Sequence, residues 1–180
     1  MTGQWNYELC NKIQLLCNDN GFICVNITAH STSDLYGHLN LLLCDDDLDD
    51  CSFFKEALKA LPRSTNLTAV HDGEQLMNLV TGEAYQLHDV LFLDLNMHRK
   101  NGFECLLELK LNEKLKRLPV IILSTSLDRE VVNLLYKNGA HYFIRKPSEF
   151  SQIKIIIEHA LTLITQKNIS QPDIEDFVLS

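Results

Sequence analysis

Five short strand-like runs recur between Leu39 and Arg145: Leu39–Cys44, Leu67–His71, Val90–Asp94, Pro119–Ser124 and His141–Arg145. Most are apolar at successive positions instead of alternating with polar residues. That is the pattern of strands covered on both faces. Segments of helical period lie between them. Asp49 reads as the N-cap of a helix through about Lys59, with Phe53, Ala57, Leu58 and Leu61 toward the core and Pro62 ending it. Asp72-Gly73 opens a second helix with Leu76, Met77, Leu79 and Val80, and Asn101-Gly102 a third with Phe103, Leu106, Leu107 and Leu111. Asp128 caps a fourth, which Gly139 ends as a C′ glycine. The fifth starts near Ser148. Its Ile153, Ile156, Ile157, Ala160, Leu161 and Ile164 form one stripe at three- and four-residue steps, and Ile155 points away from it. Strand and helix alternating five times predict an α/β fold. It is a doubly wound, five-stranded parallel sheet in three layers, built from right-handed crossovers.

Composition limits what such a domain does. With 180 residues and 46% hydrophobic side chains, the chain suffices for one domain with a substantial core. A formal net charge of −8 makes it a poor general binder of nucleic acid, because phosphate neutralisation needs clustered cations. No apolar run approaches the length of a membrane span. Met1-Thr2-Gly3-Gln4 lacks the basic start of a signal peptide, so a cytoplasmic location is expected. Six cysteines without a CxxC pair argue against structural zinc. Cys10, Cys17 and Cys24 recur every seven residues, but Gly21 interrupts that stripe. The expected organisation is an N-terminal extension over 1–38, with a short helix near Tyr7–Cys17 and a linker at Ala29–Asp34. A domain over 39–167 and a polar tail over 168–180 follow.

Ligands of open α/β sheets bind beyond the carboxyl ends of the strands, where the strand order switches. Asp45-Asp46-Asp47 follow the first run, Asp94 and Ser124 end the third and fourth, and Lys146-Pro147 follow the fifth. In the order 2-1-3-4-5, Asp45, Asp46 and Asp94 converge. Carboxylates that close repel one another unless a cation joins them, and an all-oxygen set favours Mg²⁺. Lys146 and Ser124 supply a positive charge and a hydroxyl donor for a phosphate group. An Asp among them is placed to act as a nucleophile and carry a phosphoryl group. Asp49 and Asp50 read as helix-start residues and Asp47 as a solvated loop acid. His71, His88, His98, His141 and His159 show no ligand spacing.

Four stretches, LLLCDDDLDD (41–50), LFLDLNMHRKNGFECL (91–106), PVIILSTS (119–126) and GAHYFIRKPSE (139–149), resemble in order those of response-regulator receiver domains of two-component signalling. The resemblance is closest to small single-domain receivers with an Asp-Asp pair early in the first helix, here Asp49-Asp50. It implies a flavodoxin-like fold and Asp94 as phosphoacceptor. Asp45 and Asp46 would organise Mg²⁺, with Asp46 the direct ligand, and the Asn96 carbonyl would complete the metal site. Ser124 would be the switch hydroxyl, Lys146 the phosphate-binding lysine and Phe143 the switch aromatic. Pro147 would follow a cis peptide bond. A histidine kinase or phosphotransfer protein would donate the phosphoryl group. An unidentified downstream protein would read the face formed by the fourth and fifth helices and fifth strand, and a homodimer is compatible with this. Three positions depart from the family pattern. His98 replaces a usual proline and is expected to loosen its loop, Thr125 replaces a smaller residue, and Phe143 lacks a hydroxyl.

Two other readings remain open at this level. One is a degenerate receiver acting as a phosphorylation-independent interaction module. The other is a Mg²⁺-dependent phosphatase of the haloacid dehalogenase type. That class needs an acid two residues beyond the nucleophile, where this chain has Asn96. Turnover of an external substrate is therefore not expected.

Overall fold

The computed structural model describes residues 16–18, 21–23, 37–147, 149–166 and 170–179. In it β3 (Leu39–Cys44), β4 (Thr65–Val70), β5 (Val90–Asp94), β6 (Val120–Ser124) and β7 (Tyr142–Arg145) form a parallel sheet. A sixth strand, β8 (Val178–Leu179), joins it, so the order is β4-β3-β5-β6-β7-β8. The expected order 2-1-3-4-5 is present, and the expected count of five strands is corrected to six. A separate antiparallel pair, β1 (Leu16–Asn18) with β2 (Gly21–Ile23), lies in the N-terminal stretch. Cys17 thus belongs to a strand and not to the helix expected near Tyr7–Cys17. The rest of that segment, Cys10, Cys24 and the Ala29–Asp34 linker lie outside the described residues.

The helices are α1 (Leu48–Lys59), α2 (Gly73–Thr81), α3 (Gly102–Leu111), α4 (Arg129–Lys137) and α5 (Phe150–Gln166). One core lies between the sheet and α2, α3 and α4, around Leu76, Leu106, Leu109 and Leu135. The other lies under α1 and α5, around Phe54, Leu58, Ile157 and Leu161. Every residue of β5 and β6 is buried, as their uninterrupted apolar sequences require.

Local chemistry starts each helix. Asp72 and Asp128 accept N-terminal amides of α2 and α4. Asn101 and Glu104 form a reciprocal capping box on α3. Gly139 sits just beyond α4 at φ +86°, a conformation that costs an L side chain about 1 kcal/mol. On α1 the N-cap is Asp47 and not the expected Asp49: its Oδ1 accepts Asp49 N–H at 2.8 Å and Asp50 N–H at 3.2 Å. That start puts Phe54, not Phe53, on the sheet. Phe54 is 5% exposed and meets Phe92 edge-on at 4.8 Å, while Phe53 is 49% exposed. On α3, Leu111 likewise faces out, and Cys105 and Leu109 take inward positions.

The segment after α5 is not the expected polar tail. Residues 174–176 make a turn of 3₁₀ helix, and Phe177, fully buried, joins the core beneath α4. Leu179 packs into the opposite core. The apolar triplet Phe177-Val178-Leu179 supplies both contacts.

If α1 is phased from Asp47, Phe54→Ala should cost about 3–4 kcal/mol in urea-unfolding free energy, as for a buried phenylalanine. Phe53→Ala should cost about 1 kcal/mol or less. Equal losses would place the helix in the other phase.

Candidate functional site

The ends of β3, β5 and β7 and the first turn of α1 bring three acids and a lysine together. Lys146 Nζ lies 2.6 Å from Asp94 Oδ1, 2.8 Å from Asp45 Oδ2 and 2.8 Å from Asp50 Oδ2. Asp45 is 1% and Asp94 4% exposed. The backbone meets the remaining acceptors. Asp47 N–H donates to Asp45 Oδ1 at 3.0 Å, and Asn96 N–H donates to Asp94 Oδ2 at 2.8 Å. Burial pushes the Asp45 carboxyl above its ordinary range, and Lys146 partly opposes that shift. Burial alone would lower the Lys146 ammonium, but the three carboxylates outweigh it and hold the group above its usual value. Lys146 is therefore charged, and its charge is shared among three acids.

The sequence alone reads Asp50 as a helix-start residue. It belongs to this cluster because α1 begins at Leu48, which turns Asp50 toward Lys146 and places it one helical turn before Phe54. The i, i+4 spacing of Asp50 and Phe54 is the available signal.

Asp46 lies half-buried at the rim. Its Oδ2 accepts the backbone N–H of His98 at 2.9 Å and also meets the His98 ring at Nδ1. The backbone bond is the main reason its pKa falls below the usual value. His98 therefore ties the β5–α3 loop to the β3–α1 loop, in contrast to the looser loop expected from the missing proline. Arg99, the next residue, has φ +64° and lies within 4 Å of Asp72 and Glu74. Gly102 closes the same loop. A Cβ there would meet the Asp94 carbonyl oxygen at 2.2 Å, so only glycine lets α3 start so close to Asp94.

Ser124 ends β6 and is buried, with its Oγ accepting Ser126 N–H at 3.3 Å. Thr125 beside it is exposed. Phe143 on β7 is also buried, in the same core as Phe177. Asn96 is exposed and reaches Asp94 through its N–H. The Lys146–Pro147 bond is trans, a correction to the expected cis form: among the described residues no peptide bond is cis. Trans is the preferred X–Pro isomer by about 0.5–1 kcal/mol, and it leaves Lys146 in contact with all three acids.

Asp45, Asp46 and Asp94 each offer a carboxylate oxygen within 4.8 Å of the other two. Together with Asp50 they carry four negative charges against one from Lys146. An all-oxygen, charge-deficient set of this kind fits a hard divalent cation.

Comparison with known proteins agrees with this arrangement. The profile described as "Response regulator receiver domain" matches residues 41–158. The chain belongs to that family. It is 30% identical to response regulator Rcp1 of Synechocystis sp. over 110 residues, 59% of this chain and 75% of that protein. The Mn²⁺-bound structure of Rcp1 superposes with a TM-score of 0.66 at 26% identity, covering 74% of this chain and 99% of the other. The phosphorylated cyanobacterial phytochrome response regulator RcpA gives 0.65 at 29% identity, covering 72% and 96%. Among its described residues this receiver has no DNA-binding domain. Among those residues no helix is long and apolar enough to cross a membrane.

Two substitutions probe this receiver's site. Lys146→Met leaves the buried carboxylates without their cation and should lower stability by about 3 kcal/mol. Millimolar Mg²⁺ should then raise its melting temperature more than that of wild type. Equal responses would show that the acids do not share the lysine's charge. Gly102→Ala should destabilise by at least about 3 kcal/mol, since backbone and not a flexible side chain blocks the new methyl. A loss under about 1 kcal/mol in denaturant would refute the close approach.

Proposed function

We propose that this receiver is a phosphorylation-switched signalling module whose acceptor is Asp94. The observation that carries the reading is the contact of Lys146 with Asp94 beside Asp45 and Asp46, with Ser124 at the end of the adjacent strand β6. A strand-end carboxylate with a half-buried ammonium beside it and a hydroxyl on the adjacent strand suits phosphoryl transfer. An oxygen of Asp94 attacks phosphorus of a phosphohistidine, the P–N bond breaks, and the imidazole leaves with the electron pair. Lys146 balances the negative charge that the phosphoryl oxygens bring. Ser124 reorients its hydroxyl from Ser126 toward them.

Asp45, Asp46 and Asp94 would hold Mg²⁺, with the Asn96 carbonyl in support. When bound, the ion neutralises phosphoryl oxygen charge and fixes the acceptor carboxylate. The donor is a histidine kinase or a phosphotransfer protein. Two related receivers, phosphorylated RcpA and Mn²⁺-bound Rcp1, support both parts of the reading. The domain catalyses its own phosphorylation and dephosphorylation and turns over no external substrate. Its product is a changed protein-binding face around α4, β7 and α5, where Phe143 responds to Ser124. A population shift between two packings accounts for such an output.

Intact-mass analysis after incubation with acetyl phosphate and Mg²⁺ tests this directly. Wild type should gain one phosphoryl adduct, and both chelator and Asp94→Asn should abolish it. No adduct, together with no Mg²⁺-dependent stabilisation by beryllofluoride, would favour a receiver working without phosphorylation.

A further inference from the structure

The sixth strand is attached unlike the others. Helix α1 joins β3 to β4, stepping one way along the sheet, and lies on one face. Helices α2, α3 and α4 step the other way and lie on the opposite face. All four crossovers therefore share one hand, the right-handed one that such connections almost always take. Helix α5 precedes β8, which lies on the same side of β7 as β7 lies of β6. Yet α5 packs on the face of α1. The β7–α5–β8 connection is thus left-handed. Strand β8 is held by what it touches and not by the way the chain delivers it.

Those contacts are few: Leu179 packs into the core under α1 and α5, and the rest converge on β7 and the end of α4. Phe143 N–H donates to Phe177 O at 2.9 Å, and only two residue pairs register, Phe143 with Val178 and Ile144 with Leu179. Phe177 meets the Tyr136 ring edge-on at 5.2 Å. Tyr136 OH donates to Pro172 O at 3.0 Å. Gln171 Nε2 donates to Tyr136 O at 2.6 Å and Ala140 O at 2.7 Å.

Strand β7 serves two masters across four residues. Phe143 and Ile144 carry β8. Lys146, just past its end, holds the three acids and donates its N–H to Ser124 O at 2.8 Å. A new group on Asp94 competes for the Lys146 ammonium and draws on Ser124, so the ends of β6 and β7 readjust together. On its inner side β7 is paired to β6 along its whole length. On its outer side it is paired to a two-residue strand.

We propose that residues 170–179 form an intramolecular strap on the outer edge of β7 and that the Asp94 site controls its docking. A phosphoryl group on Asp94 loosens the strap, and a loosened strap favours the phosphorylated arrangement, because coupling between two sites is reciprocal. The freed β7 edge, with the seat of Phe177, is a strand-addition surface for an extended partner segment. The strap's own Phe-Val-Leu sequence shows the chemistry that seat accepts. The direction of control rests on the reading of Asp94 as phosphoacceptor, whereas the link between Lys146 and the strap does not.

Amide exchange in the full-length protein tests both parts, with intact mass after a parallel incubation with acetyl phosphate and Mg²⁺ reporting the Asp94 adduct. Beryllofluoride with Mg²⁺ should raise exchange at the Phe143 amide and in peptides over 170–179 at least fivefold, while peptides in β5 stay protected. Lys146→Met should do the same without any phosphoryl mimic. Gln171→Ala lies outside the site and loosens the strap from the other end. It should bind beryllofluoride at least twice as tightly as wild type. If an adduct forms on Asp94 while strap exchange and Gln171→Ala affinity stay at wild-type values, the coupling is refuted and the acceptor reading stands. If no adduct forms but Lys146→Met frees the strap, the acceptor reading fails and the link through β7 stands. Exchange of the strap between two copies, seen as a dimer in light scattering, would overturn the intramolecular arrangement.

Discussion

The Lys146 ammonium is the point on which the functional end of this molecule depends. It closes a cluster of Asp45, Asp50 and Asp94 delivered by β3, α1 and β5, while its own strand β7 sits two places from β5. Without it, the like charges of buried Asp45 and Asp94 and of half-buried Asp50 would stand close together with no cation between them. The desolvation cost of such an arrangement is several kcal/mol per ion. Whatever alters the charge at Asp94 must therefore be felt at Lys146, and through Lys146 along β7. The fold makes the site sensitive by leaving its charge unbalanced: one ammonium stands against four carboxylates once Asp46 is counted.

A second constraint is steric. The loop after β5 must turn back over Asp94 so that α3 can begin, and Gly102 makes that possible by leaving the Asp94 carbonyl uncrowded. Arg99 at positive φ and the His98–Asp46 contact shape the same loop. These features hold the Asp94 carboxylate in one orientation, with one oxygen on Lys146 and the other on Asn96 N–H. The side chain is positioned before any ligand arrives, which is what electrostatic stabilisation of a transferring group requires.

Much of this is legible in the sequence because it follows from periodicity and from the ends of strands. The apolar runs of β3, β5 and β6 define the sheet, and Asp45, Asp94, Ser124 and Lys146 each occur where a strand gives out. Part of what escapes follows from one cap. Placing the start of α1 at Asp49 instead of Asp47 hides the phase that puts Asp50 over Lys146 and Phe54 over Phe92. Leu61, Leu58, Ala57, Phe54 and Asp50 form one stripe at three- and four-residue steps, and Phe53 obscures it as an equally large neighbour. The contact of His98 with Asp46 is not legible, because it spans 52 positions between two loops and depends on how they fold back. Strand β8 is hidden because three apolar residues in a polar setting carry no period at all.

The handedness of the last crossover explains why such a strand can exist and why it is weakly held. Helix α5 is committed to the α1 side by Ile156, Ile157, Ala160 and Leu161, which complete the core under Phe54 and Leu58. Moving α5 to the other face to deliver β8 with the usual hand would empty that core and collide with α4. The chain keeps α5 in place and brings β8 to the sheet edge from the unfavoured side. Polar anchors at Gln171 and Tyr136 and a single buried ring at Phe177 hold it there. Two registered pairs and one aromatic seat are little beside the six-residue pairing of β3 with β4. Of the strands in the sheet, β8 is the one whose removal disturbs the fewest others. A receiver built this way holds its most easily displaced element against the strand that its charged site pulls on.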